Sequence, residues 1–279
     1  FLPALALSRE HGEVTSWTYS PAHEKLYLGH GDGVITSIRV GTETVERQFA
    51  QVAAGVYGLA DAGNYVLAQD SSGAWATHSV INASGLITDS AEWNRYSSAY
   101  AWSVQDSRVY FFRDDTSPND LHFETIDQSS GRFGERGETP YHGSYNISAP
   151  LRVSADGSRI VLGSGDLYGH DGLLWQGNVG GSLTDALWTT DGGLLILKSN
   201  GANTALVRRD MQFKTVEQRA FDGTPVAIVS NGSAYKIITR SDQRLFTVIY
   251  QPSDDTDADG ISDAAIVAGA DLFAAIELG

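Results

Sequence analysis

The sequence predicts an all-β chain assembled from six copies of one strand-rich unit. Three observations carry this expectation. Helical periodicity is nearly absent before residue 262. Short alternating, β-branched and aromatic runs are punctuated by Gly, Asp, Asn and Ser. The turns also recur at a long, nearly regular period.

The clearest unit is "VTSWTYSPAHEKLYLGHGDGVITSIRV" (14–40), which reads as strand, turn, strand, turn, strand. Residues 56–81 and 99–127 repeat it, and so do 150–177, 185–210 and 225–251. Equivalent first-strand positions are Trp17, Leu59, Trp102, Arg152, Trp188 and Ile228, at spacings of 42, 43, 50, 36 and 40. Six units of three to four strands at a period near 42 predict a six-bladed β-propeller over residues 1–252. A lone four-stranded sheet that is apolar on both faces cannot bury both. Stacking such sheets in series does so. The last unit offers three strands, and the apolar segment "LPALALS" (2–8) has no unit of its own. It is expected to supply the fourth strand and close the ring.

The motifs "SPAHEKLYLGHGDG", "SADGSRIVLGSGDLY" and "TTDGGLLIL" resemble the repeat signature of bacterial extracellular propellers of the WD40-like and YVTN kind. The resemblance spans about 14–251. It implies a propeller fold and a secreted or cell-surface setting, with the periplasm as the alternative.

Residues 253–279 form a second segment, an acidic loop followed by a helix starting near Ser262. In "DDTDADGISD" (254–263), Asp255, Asp257 and Asp259 occupy relative positions 1, 3 and 5. Gly260 allows a sharp turn, Ile261 offers a backbone carbonyl at position 7, and Asp263 stands at position 9. Oxygen ligands in this order suit Ca2+, and position 12, Ile266, lacks the carboxylate that completes an EF-hand. The stretch also resembles thrombospondin type 3 repeats, which implies a calcium-stiffened junction with neighbouring domains. A solvated acidic tether is the alternative reading.

Composition narrows the partners. Lys plus Arg is 19 against 34 Asp plus Glu, a formal net charge of −15, which repels nucleic acid and anionic lipid surfaces. Cysteine is absent, so thiol chemistry is excluded. No apolar run reaches the roughly 18 residues of a spanning helix. The chain begins "FLPALALSRE", with no basic leader visible. It reads as a processed protein or a piece of a longer one.

Several motifs fit structural roles better than chemical ones. The histidines (11, 23, 30, 78, 122, 142, 170) show no close ligand pair and read mostly as turn or surface residues. "GHGDG" (29–33) reads as a hairpin turn, and "RDDTSPND" (113–120) as a hairpin tip rather than a second cation site. Trp17, Trp102 and Trp188 are expected to pack between sheets; Trp93, between units, is the best candidate for an exposed contact, against a default of packing under the loop. The first strands carry Ser, Thr and a single acid, Asp61. That pattern favours a non-enzymatic module binding a protein or glycan. The alternative is a propeller hydrolase of the lactonase type with a channel metal.

Overall fold

A computed structural model describes residues 10–42, 47–93, 96–114, 116–231, 234–242 and 244–250. The expected closing strand (2–8), the acidic loop and the C-terminal helix lie outside these residues. Among the described residues the structure is all-β, and its one helical element is a three-residue 3-10 turn at Asp171–Leu173.

The strands form six sheets in which sequence neighbours are sheet neighbours. The first holds β1 (Val14–Ser20), β2 (Lys25–His30), β3 (Val34–Arg39) and β4 (Arg47–Gln51). The second holds β5 (Val56–Ala62), β6 (Tyr65–Asp70), β7 (Thr77–Asn82) and β8 (Ile87–Glu92). The third holds β9 (Tyr100–Ser103), β10 (Arg108–Phe112), β11 (Leu121–Ile126) and β12 (Phe133–Glu138). The fourth holds β13 (Leu151–Val153), β14 (Arg159–Leu162), β15 (Asp166–Gly169) and β16 (Trp175–Asn178). The fifth holds β17 (Asp185–Trp188), β18 (Leu194–Asn200), β19 (Asn203–Arg209) and β20 (Thr215–Asp222). The sixth has three strands, β21 (Thr224–Asn231), β22 (Ala234–Ser241) and β23 (Arg244–Tyr250).

Each sheet coincides with one predicted unit. The difference lies in the fourth strands β4, β8, β12 and β20, which run past the predicted unit ends. These strands are mostly exposed and polar, as in "FGERGE" and "TVEQRAFD", so they lack the apolar alternation that marks a strand in sequence.

By contact the chain divides into two compact units. One holds residues up to Ile160 together with Asp166–Gly177, and the other holds Val161–Gly165 together with residues from Asn178 onward. In the first unit the second sheet is buried on both faces. Val56, Val66, Ala68 and Ile81 join Tyr27, Ile35 and Ala50 of the first sheet, while Leu67 and Val80 join Val109, Ile126 and Trp102 of the third. Alternation is thus preserved, yet every residue of β6 is buried. In the second unit Leu195, Leu197 and Leu206 of the fifth sheet pack on Ile228, Tyr235, Ile237 and Tyr250 of the sixth.

First strands of successive sheets are also stitched by side chains. Ser16 Oγ accepts the Leu59 N–H at 2.9 Å, and Thr18 Oγ1 accepts the Asp61 N–H at 3.0 Å. In the second unit Asp185 Oδ2 accepts the Ile228 N–H at 2.9 Å. Each pair is separated by 43 residues, one repeat. The "GHGDG" stretch is the β2–β3 hairpin turn. Gly33 has φ 86°, and a Cβ there would meet the Ala54 carbonyl oxygen at 2.7 Å.

Asp185 is 3% exposed, and its other oxygen accepts the Ala186 N–H at 2.9 Å. Asp185→Ala strands buried donors and is expected to lower unfolding free energy by about 1–3 kcal/mol, measured by urea denaturation.

Candidate binding cleft

In the first unit the strands β1, β5, β9 and β13 line a cleft of about 370 Å3. Trp17 and Thr18 come from β1, Ala60 and Asp61 from β5, Tyr100 and Trp102 from β9, and Arg152 from β13. Along β1, Ser16 and Thr18 turn toward β5, so alternation sends Trp17 and Tyr19 to the opposite side. Trp17 is 67% exposed, which corrects the expectation that it packs between sheets. Trp102, its repeat equivalent, does pack against the core shared with the second sheet. The reason is positional: among the described residues β9 has a preceding sheet in its own unit, and β1 has none. Trp188 is half-buried and meets Phe213 edge-on at 6.2 Å.

The cleft carries two opposite charges. Arg152 is half-buried, and its Nη1 donates to the Leu151 carbonyl at 2.9 Å. Burial pushes the Asp61 carboxyl up from its ordinary value, against a hydrogen bond from Ser20 and the nearby His23. Asp61 is where the sequence places it, but a second first-strand acid, Asp185, escaped notice because it precedes the apolar run of β17. Its carboxylate is spent on backbone N–H groups.

A buried polar chain holds the Tyr100 side of the cleft. His78 and Glu124 are 0% and 1% exposed. His78 Nδ1 lies 2.8 Å from Glu124 Oε2, and its Nε2 lies 3.1 Å from the Tyr100 hydroxyl and 3.3 Å from Gln69 Nε2. This geometry fits the tautomer with its proton on Nδ1, donating to the carboxylate and accepting at Nε2. Arg136 Nε stands 3.2 Å from Glu124 Oε1. Burial opposes ionisation of Glu124, but His78 and Arg136 outweigh it and hold the carboxyl below its usual range. Burial also pushes the Tyr100 phenol well above its ordinary value. Phe111 meets His78 edge-on at 4.9 Å and stacks on His122 at 5.5 Å.

These histidines depart from the turn-or-surface reading. His30, His78 and His122 are buried, whereas His11, His23, His142 and His170 are not. Histidine in an apolar strand is the one sequence signal that could have marked them. The 113–120 segment connects β10 and β11, and its two described acids are engaged in hydrogen bonds. Asp114 Oδ2 accepts from the Ser98 N–H and hydroxyl at 2.9 and 2.7 Å, and Asp120 Oδ1 accepts from the Thr139 hydroxyl at 2.7 Å. Trp93 is exposed rather than packed under its loop. The predicted calcium ligands Asp255, Asp257, Asp259, Ile261 and Asp263 lie outside the described residues. Among the described residues no group of three or more acidic or histidine side chains is arranged to hold a metal.

Comparison with known proteins supports the architecture. No protein-family model matches the sequence, and no curated protein does. The fold is similar to that of the computationally designed Ika8 protein, with a TM-score of 0.61 at 13% identity, over 89% of this chain and 74% of that one. It is similar as well to the Dos1 propeller, with a TM-score of 0.61 at 12% identity, over 90% of this chain and 71% of that one. The chain therefore has a propeller-like fold of repeated four-stranded sheets. At such identities the likeness concerns the fold alone.

His122 generates a pH dependence. Burial, with Arg113 nearby, lowers its pKa from 6.5 to about 4. The carboxylate of Glu138, 3.3 Å from Nδ1, is largely solvent-exposed and too screened to reverse this. The unfolded chain therefore binds a proton on this residue between pH 6.5 and 4 that the folded chain refuses. Stability falls as pH falls through that window, by up to about 3 kcal/mol from this residue. Urea unfolding at pH 7 and pH 4.5 should show a smaller acid loss in His122→Gln than in the parent protein.

Proposed function

We propose that this chain is a non-enzymatic propeller module that binds a protein partner in the cleft formed by β1, β5, β9 and β13. The observation that carries this reading is that the exposed Trp17 and the half-buried Arg152 both line one recess of about 370 Å3. Tryptophan and arginine are the side chains that most often dominate binding energy at protein interfaces. Asp61 adds a negative pole, so the cleft suits a peptide segment with a basic and an acidic group beside an apolar one. The non-catalytic part of the reading is supported by what the first-strand polar groups already do. Ser16, Thr18 and Asp185 are committed to backbone N–H groups of the next sheet.

In this reading the six sheets are six blades. Residues 2–8 add the fourth strand to β21–β23; the support is that the last sheet has three strands among the described residues where the other five have four. The module works in a secreted or cell-surface bacterial protein. Its C-terminal loop binds one Ca2+ through Asp255, Asp257, Asp259, Asp263 and the Ile261 carbonyl, stiffening the junction to a neighbouring domain. The support there is the ligand spacing in the sequence.

Peptides selected on the protein from a randomised display library should lose at least tenfold in affinity when Trp17→Ala is introduced, and Arg152→Ala should weaken them as well. Selected peptides that bind Trp17→Ala unchanged would remove the cleft from consideration. Calcium titration calorimetry should give one site with an affinity on the order of 10⁻⁴ M, abolished in Asp257→Ala plus Asp259→Ala. Equal heats from both proteins would leave the segment as an acidic tether.

A further inference from the structure

A second surface of the first unit lies apart from the cleft and presents two indoles side by side. Trp75 sits in the β6–β7 connection and Trp93 follows β8. In an antiparallel sheet ordered β5-β6-β7-β8, the end of β6 and the end of β8 fall at the same edge. The rings stand 6.3 Å apart, centroid to centroid, inclined by 41°. Trp75 is 50% exposed and Trp93 62%.

Nothing about local backbone preference favours this arrangement. Trp75, Ala76 and Trp93 have φ of 64°, 67° and 71°, in the left-handed region that bulky residues avoid. The strain is held by specific bonds. The Trp93 N–H donates to the Ala74 carbonyl at 2.9 Å, and the Ala74 N–H donates to Glu92 Oε2 at 3.1 Å. Arg113 Nη2 donates to the Trp93 carbonyl at 3.3 Å. Two strained turns are thus locked together, and what they present is a pair of exposed aromatic faces. Tyr57 adds a third ring at this end, since Val56 pairs with Asp70 at the close of β6. Tyr57 is 38% exposed, its ring packs on Tyr96 at 5.1 Å, and its hydroxyl donates to Asp114 at 3.3 Å.

We propose that Trp75 and Trp93 form a carbohydrate-binding platform for a neutral hexose- or pentose-based glycan. A pyranose ring has a face of C–H groups that stacks on an indole, and hydroxyls around its rim that need polar neighbours. The pair supplies both, because Ser71, Gly73 and Glu92, its neighbours in the chain, are exposed and polar. A specific protein interface requires a contiguous patch on the order of 1,000 Å2 in total, with an apolar centre; a few exposed aromatic rings beside polar neighbours match a sugar better. Charge selects among sugars. A protein of formal charge −15 repels sulfated or uronic acid polymers and leaves neutral ones unopposed.

The test uses the whole chain against cellohexaose, xylohexaose, mannohexaose, laminarihexaose and chitohexaose, read by calorimetry and by tryptophan fluorescence, with heparin as the anionic control. Binding to at least one neutral oligosaccharide is expected. Trp75→Ala or Trp93→Ala should weaken it at least tenfold, while Trp17→Ala leaves it unchanged and so separates this surface from the cleft. Trp75→Gly suits the left-handed backbone, so it should abolish binding with an unchanged or raised melting temperature; it decides the matter should an alanine variant fold poorly. The proposal is overturned by an absence of binding to all five sugars, by binding that survives loss of both indoles, or by binding to heparin alone. A peptide partner that needs these indoles, with no sugar bound, overturns it equally.

Discussion

The constraint on which this fold depends is the burial of a strand between two sheets. A first strand that follows another at one-repeat distance must leave no backbone donor unpaired where the sheets approach. Ser16, Thr18 and Asp185 meet that need with one side-chain acceptor each, aimed at the N–H 43 residues later. Apolar packing between sheets tolerates small shifts, whereas a hydrogen bond near 2.9 Å does not. The stitching therefore fixes the offset between sheets, and the apolar contacts fill in around it. Because short polar residues do this work, the first strands have few side chains left for chemistry.

The His78–Glu124 pair shows the same logic at higher cost. A buried carboxylate and imidazole have to satisfy one another, and here Tyr100, Gln69 and Arg136 complete the set. A hydrophobic replacement would pack as well without specifying how β7, β9 and β11 are arranged. The polar chain constrains that arrangement and, through Tyr100, the shape of one wall of the cleft. The cleft is thus built on a network whose members come from two sheets of one unit.

Much of the fold was legible because a repeat states its own period. The six units and the hairpin turn at "GHGDG" follow from turn chemistry and spacing. The outer strands β8, β12 and β20 were harder to place, since a strand with little buried surface has no alternation to display. Trp17 was misread because its equivalent Trp102 packs on a preceding sheet, whereas among the described residues β1 has none in its own unit. The cleft itself was only half legible. Asp61 and Arg152 were visible as strand residues, but their convergence depends on four segments spread over 130 residues and more of sequence. The buried histidines were hidden for a different reason: their partners, such as Glu124 46 residues beyond His78, bear no sequence relation to them.

The polar character of the outer strands has a consequence for how a chain of repeated sheets resists edge-to-edge pairing. Each repeat is a potential impostor for its neighbour, and each outer edge is a template on which another chain could add a strand. β12 meets that threat with Glu135, Arg136 and Glu138, and β20 with Glu217 and Arg219, so an intruding strand would trap charges without water. The strand that contributes least to cohesion thus acts as the repeat's colloidal guard. Swapping one of these outer strands for an apolar sequence of higher β-propensity would tighten a sheet while inviting the protein to form fibres.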